Sequence, residues 1–309
     1  MIRRWAALLV LMAAAGGATA QTAVTSELIH TRDADDFDAT HVIAGYLPGY
    51  RSPQDQWGVA AGYDHYSQDG WSRDGERLLG RLRRLDAATG AGLAADAGVA
   101  RAGSRTRFIA DATWSARLTP GTGFELIGAR DWVDTRPAID DGITYTFYGA
   151  SIDQALGERL TAIALLARQE FSDGNARNHV RGRLILALAP ELGVTLQLRH
   201  RRYITEDTDV PRRYFNPARY DETQLVLALR RRLTSWPGWT VSGAAGAGRE
   251  TVDNDEHNPT VTTELRLEGP LDNGWRVGLR AQYLRTSGGV SGTDYWYSAL
   301  GATLTIPLP

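Results

Sequence analysis

The chain has no cysteine, which excludes a disulfide framework, a thiolate metal site and a cysteine nucleophile. It also has no lysine, so all 34 basic residues are arginine, a bias that carries no functional weight by itself. Those arginines nearly balance 36 acids, and the formal charge of −2 excludes a strongly basic nucleic-acid binder. No interior run approaches the roughly 20 apolar residues that a membrane-spanning helix needs. Nucleophile elbows of the G-x-S-x-G type and phosphate-loop glycine spacings are missing too.

What is present begins with a targeting pattern. Arg3 and Arg4 form a short positive region, Trp5 to Ala15 an apolar core, and Ala18-Thr19-Ala20 a small-residue cleavage site. Residues 1–20 therefore read as a cleaved signal peptide, with a short anchor helix as the alternative. Residues 21–309 read as one exported unit in the periplasm, the outer membrane or the medium.

From Gln21 onward, runs of about ten residues alternate in polarity, the period of a strand with two different faces. Trp275, Val277, Leu279, Ala281 and Tyr283 share one face, and Arg276, Gly278, Arg280 and Gln282 the other. Phe108, Ala110, Ala112, Trp114 and Ala116 oppose Arg107, Asp111, Thr113, Ser115 and Arg117. Soluble sandwich strands average about five or six residues, whereas about ten suffices to cross a bilayer at a tilt. The apolar faces end in aromatics such as Trp57, Phe124, Trp239, Trp275 and Trp296, as an interfacial girdle requires. The pattern predicts an all-β, transmembrane antiparallel β-barrel of about sixteen strands, with a secreted sandwich or β-helix as the alternative.

The predicted connections alternate in length. Short ones include 119–122, 155–158, 189–192, 235–238 and 269–274; long polar ones include 134–142, 172–178, 205–219, 250–258 and 286–293. Short turns belong on the periplasmic side and long loops outside. A barrel this wide leaves an open interior, so any closure must come from loops folded inward.

If the apolar face meets lipid, the opposite face lines the pore. In the second half that face is predicted to carry Arg181, Arg183, Arg199, Arg201, Arg266, Arg276 and Arg280, with Glu264, Glu268 and Glu170 among them. Such a stripe suits an anion-preferring pore, but arginine–carboxylate pairs that merely brace the wall would look the same. Arg230 to Arg232 sit near a strand end, where lipid phosphate is an alternative partner. Tyr148, Tyr295 and Tyr297 are predicted to point inward as candidate sugar-stacking rings, or to sit in the girdle.

The most distinctive string is Tyr214-Phe215-Asn216-Pro217, followed by Ala218, Arg219, Tyr220 and Asp221: an Asn-Pro turn leading into a strand. It resembles the aromatic-Ser/Asn-Pro segment in the C-terminal barrels of outer-membrane exopolysaccharide export porins, those for cellulose and poly-N-acetylglucosamine. Asp35-Asp36-Phe37 is similar to an acidic-aromatic segment that opens those barrels. The resemblance implies passive export of a polysaccharide, with outer-membrane lipid, lipopolysaccharide and a periplasmic delivery protein as partners. The family usually carries periplasmic helical repeats before the barrel, whereas the barrel pattern here begins almost at Gln21. A diffusion porin for small anionic solutes is the second expectation, and a barrel hydrolase built on His257, Asp255 and Ser291 the third. Catalysis, a cofactor and a metal site are not expected; the Asp253, Asp255, Glu256 cluster reads as a solvated loop rather than a calcium site.

Overall fold

The computed structural model describes residues 21–210, 213–253, 257–287 and 294–308; the signal-peptide reading of residues 1–20 lies outside them. Sixteen strands follow one another: β1 (Thr22–Asp33), β2 (Asp38–Leu47), β3 (Asp55–Gln68), β4 (Trp71–Leu85), β5 (Gly92–Ala102), β6 (Arg105–Thr119), β7 (Thr122–Trp132) and β8 (Thr144–Ala155). The second half comprises β9 (Leu160–Phe171), β10 (Ala176–Ala189), β11 (Val194–Thr205), β12 (Arg219–Arg232), β13 (Thr240–Val252), β14 (Asn258–Pro270), β15 (Arg276–Thr286) and β16 (Tyr295–Leu308). Every strand pairs antiparallel with its sequence neighbours, and β1 pairs with β16, from Thr22 opposite Leu308 to Asp33 opposite Tyr297. Closure leaves no open edge, so the backbone hydrogen bonds are satisfied within the wall, as lipid demands.

Register fixes the two faces. Leu198 lies opposite Leu225 and Leu265 opposite Ala281, while Gln197 lies opposite Val226 and Arg266 opposite Arg280. The first set belongs to a belt of exposed apolar side chains that includes Leu78, Leu166 and Leu300, at 59%, 65% and 58% exposure. A protein in water rarely leaves such a surface bare beyond a few hundred Å²; a bilayer solvates it. The other set faces inward. Ion pairs show it is the concave side, because Glu27 of β1 reaches both Arg81 of β4 and Arg280 of β15. On a convex wall those side chains would diverge.

Of the connections predicted to be long, those after β7, β11 and β15 are, whereas 172–175 and 253–257 are no longer than the turns on the side of the termini. Among the first six strands the rim opposite the termini carries the tight turns: β3–β4 and β5–β6 turn through Asp69-Gly70 and Gly103-Ser104. Asp69 and Gly70 have φ of 38° and 74°, the positive pair that a two-residue hairpin needs to match strand twist. The Ala/Gly-rich stretch before residue 102 is one continuous strand, β5.

The extracellular half of the barrel is not empty. The β7–β8 loop forms a six-residue helix, α1 (Arg136–Asp141), capped by Thr135, with Pro137 in its first turn. Ile139 and Trp132 pack into one cluster with inward-facing Ile43, Ala60, Tyr66, Leu79 and Ile109 and with Phe37 of the β1–β2 turn. The loop is thus an inward plug held by apolar burial against β2–β6. Gly142 ends the helix at φ 76°, and its N–H and that of Ile143 bond Ile139 and Ala138 carbonyls, 3.1 and 2.8 Å. Gly142→Ala puts a Cβ in a left-handed conformation and within 2.3 Å of the Arg105 guanidinium. The expected cost of about 1 kcal/mol to the docked loop appears as roughly fivefold faster protease nicking there, with the barrel intact.

Candidate transport path

At the periplasmic end of the lumen, acids and arginines pair off. Glu27 meets Arg81 at 3.4 Å and Arg280 at 3.6 Å; Asp96 meets Arg81 at 3.2 Å and Arg83 at 3.8 Å. A cavity of about 350 Å³ lies beside this network, lined also by Arg266 and Glu268, which pair at 3.3 Å. These are the wall-bracing pairs, and Arg276, opposite Thr305, opens the same face at the foot of β15.

Midway up, the balance changes. The inward faces of β9, β10 and β11 carry Arg177, Arg181, Arg183, Arg199 and Arg201 and no carboxylate. Arg181 stands directly opposite Arg201, and Arg183 opposite Arg199, an arrangement that repels itself. Two of the four are neutralised at a distance: Arg199 reaches Glu264 on β14 at 2.7 Å, and Arg201 meets Glu222 and the Tyr220 hydroxyl. Arg199 reaches across β12 and β13, the second of which offers only the small Ala244 and Gly246 on its inner face at that level. Among the described residues, Arg181 and Arg183 have no ion-pair partner; Arg181 only lies 5.7 Å from the Phe147 ring. On β5 and β6, by contrast, Asp96 and Asp111 stand opposite each other.

At the extracellular end the distinctive string folds inward. Tyr214 stacks on Phe171 at 4.3 Å, and its hydroxyl donates to Asp173 at 3.0 Å. Arg177 lies 4.8, 5.0 and 5.4 Å from the rings of Phe171, Tyr203 and Tyr214 and donates to the Phe215 carbonyl and to Asn216 Oδ1. Asn175 donates to Asn216 Oδ1 at 2.9 Å, and the Pro217 carbonyl accepts from Thr205 at 2.6 Å. The Thr135 hydroxyl donates to the Arg213 carbonyl at 2.5 Å, and Arg213 pairs with Asp141, so the two inward loops are joined. Beneath α1, Asp64 binds Arg77 through three contacts of 2.8–3.0 Å and His41 Nδ1 at 2.8 Å. Sequence reading missed this anchor and the Phe147, His179, Tyr203, Tyr220 ring column; inward parity on their strands was the available signal.

Tyr295 and Tyr297 face inward, opposite Thr286 and Leu284. Tyr148 and Glu170 do not. Tyr148 lies opposite outward Arg168, half exposed, and donates to Glu170 at 2.9 Å, while Phe147 takes the inward position. Glu170 belongs to that outer network with Arg168 and Glu206. Both stand near the extracellular rim, where outward polar groups meet water or headgroups rather than hydrocarbon, so polarity no longer marks the lumen. His257 meets the Thr251 hydroxyl at 2.6 Å; Asp255, Glu256 and Ser291 lie outside the described residues. Among the described residues no group of three or more His, Asp or Glu is placed to hold a metal ion.

Asp134, in the plug loop, is exposed to the lumen, yet the surrounding mouth crowds it and pushes it up to about 6, first through reduced solvation of its charge. Neighbouring Asp131 and Asp64 raise it further, against His41 and Arg77. A group held above its free value favours the docked, protonated loop: docking strengthens as pH falls through about 6 and weakens above it. Single-barrel conductance is expected to drop between pH 7 and 5, and Asp134→Asn to remove that step.

No protein-family description and no curated protein matches the chain. The fold is similar to a solved structure described as a bacterial polysaccharide outer membrane secretin, with a TM-score of 0.69 at 13% identity, covering 95% of this chain and all of that one. Pseudomonas aeruginosa OccK3 (OpdO) aligns over 94% of this chain and 96% of its own at 13% identity, with a TM-score of 0.48. OpdQ of the same organism aligns over 94% and 99% at 11% identity, with a TM-score of 0.47. The closed sixteen-stranded wall with its apolar belt is the fold of a bacterial outer-membrane β-barrel.

Proposed function

We propose that this channel passes an acidic polysaccharide outward through its arginine-lined lumen, passively, from a periplasmic delivery partner. The observation that carries the reading is the inner face of β9–β11, with five arginines, no carboxylate, and Arg181 and Arg183 without ion partners among the described residues. Free guanidinium groups spaced along a wet wall give a polyanion many weak contacts rather than one tight site, which is what conduction needs. Tyr295 and Tyr297 extend the inner wall toward the mouth as contact rings for sugar. The fold likeness to the polysaccharide secretin, spanning nearly all of both chains, supports polymer over solute. The same arginines would also serve small anions, so a diffusion porin is the second reading.

The test is a planar-bilayer recording of the purified barrel, with polyuronate added on the side of the termini. Export predicts anion-preferring conductance reversibly blocked by the polymer, and loss of cell-surface polymer on deletion of the gene. Anion conductance that polyuronate leaves unchanged, with the surface polymer intact in the deletion strain, establishes the porin instead.

A further inference from the structure

Register places a row of guanidinium groups across the periplasmic mouth. Arg230 of β12 lies opposite Ser242, Ser242 opposite Arg266, and Arg266 opposite Arg280 of β15. Neighbouring strands stand about 4.8 Å apart, so the row runs about 14 Å around the inner wall. Its side chains are open to the lumen: Arg266 is 67% exposed and Arg280 55%, and Arg230 is exposed as well. The adjacent Arg231 has the outward parity of Leu229, so a lipid phosphate at this rim reaches Arg231 and not the row. Small residues make the room. Ser242 puts only a hydroxyl between Arg230 and Arg266, and Arg280 lies across Gly301, where a Cβ would stand 2.3 Å from its Nε.

Acids do not balance this row. Below Glu264, the inner faces of β12–β15 carry Arg230, Arg232, Arg266, Arg276 and Arg280 against Glu268 alone. Glu268 meets Arg266 at 3.3 Å, and Glu27 of β1 meets Arg280 at 3.6 Å but is shared with Arg81. Among the described residues, Arg230, Arg232 and Arg276 have no ion-pair partner. Like charges in register cost stability, and bracing alone would call for alternating acids. The spacing selects the ligand. A cation is repelled. An inorganic anion spans one guanidinium or a neighbouring pair and leaves the rest of the row uncompensated. An extended chain with repeated anionic groups meets every member at once, through contacts that are singly weak and jointly retaining. Two residues farther in on the same strand, Glu264 bridges to Arg199 at 2.7 Å, so the row adjoins the arginines of the mid-lumen.

We propose that the Arg230, Arg266, Arg280 row is the capture site for a polyanionic glycan, the first position the chain occupies on entering from the periplasm. The proposal rests on the export reading and adds where the polymer is taken up. A charged rim draws a polyanion in, so it acts on the association rate more than on how long the chain stays.

The experiment records block of single barrels by polyuronate in a planar bilayer at about 0.1 M salt, with polymer on the side of the termini. Arg230→Gln combined with Arg266→Gln and Arg280→Gln is expected to lower the association rate about tenfold, with the duration of each block changed far less. The difference is expected to shrink at 1 M salt, where screening falls to about 3 Å. Polymer added on the opposite side is expected to block the variant and the unaltered barrel at the same rate, and the lipid-facing Arg231→Gln to leave every rate alone. Arg230→Gln by itself breaks no ion pair among the described residues, and is expected to lower the rate about twofold if the triple variant fails to fold. An association rate that these substitutions leave unchanged, or that falls equally from both sides, overturns the capture site. Millimolar inorganic phosphate that abolishes the row-dependent block makes the row a small-anion site and overturns polymer capture. Surface polymer lost on deletion of the gene, with block that ignores the row, overturns the capture site alone. Block that depends on the row, with normal surface polymer in the deletion strain, keeps the capture site and overturns the export reading.

Discussion

Arg181→Glu combined with Arg183→Glu is expected to reverse the anion preference proposed for the barrel and leave it cation-preferring. The two substitutions remove two positive charges from the middle of the lumen and add two negative ones. Neither arginine has an ion partner among the described residues, so no buried carboxylate is stranded. The new acids instead face Arg201 and Arg199 in register, which relieves the existing arginine–arginine repulsion, and the barrel is expected to fold at least as well. A unit charge pair about 4 Å apart is worth about 1 kcal/mol even in water-like surroundings. Four charge steps beside a permeating ion therefore change the selectivity ratio by roughly tenfold or more at low salt, and by less at 1 M, where screening falls to about 3 Å. The measurement is the zero-current potential across a salt gradient, whose sign reverses. Arg168→Glu, on the outer wall, is the control and leaves the sign alone. If the double variant keeps its anion preference, these arginines do not govern what passes, and the proposed function loses its main support.

The wall of this protein is legible in its sequence because lipid and water impose opposite demands on alternate residues. Parity alone put Arg276 and Arg280 inside and Leu279 and Tyr283 outside, and register agrees. Near the rims that contrast disappears, which is why Tyr148 and Glu170 read as lumen groups yet lie outside. Within β8, Phe147 and Tyr148 are adjacent aromatics, so polarity offers no parity to read there. The plug was illegible for a different reason. Trp132 and Ile139 look like scattered apolar residues at a loop, and only the curvature of the closed wall brings them against Ile43, Leu79 and Ile109. The anchor below it joins residues 41, 64 and 77 from three strands, a relation set by register rather than by spacing.

That anchor sets the second large effect. Asp64→Ala is expected to destabilise the barrel by about 3–5 kcal/mol, because it strands the Arg77 guanidinium within the packed half of the lumen. Asp64 is 1% exposed and Arg77 10%, and Asp64 also fixes His41. The nearest other acid to Arg77, Asp131, stands 3.8 Å away and is too distant to replace a two-oxygen partner. Removing both charges with residues of similar size, Asp64→Leu with Arg77→Met, is expected to recover most of the loss, since the cost lies in the unpaired charge rather than in the missing bond. Unfolding in detergent, followed by the gel mobility of unheated and heated samples, reads both variants. The plug rests on this layer through Tyr66 and Ile43, so Asp64→Ala is also expected to raise single-barrel conductance at temperatures where the barrel remains folded. If the double variant is as unstable as Asp64→Ala alone, the ion pair itself holds the wall, and the plug's support must be sought in its apolar contacts.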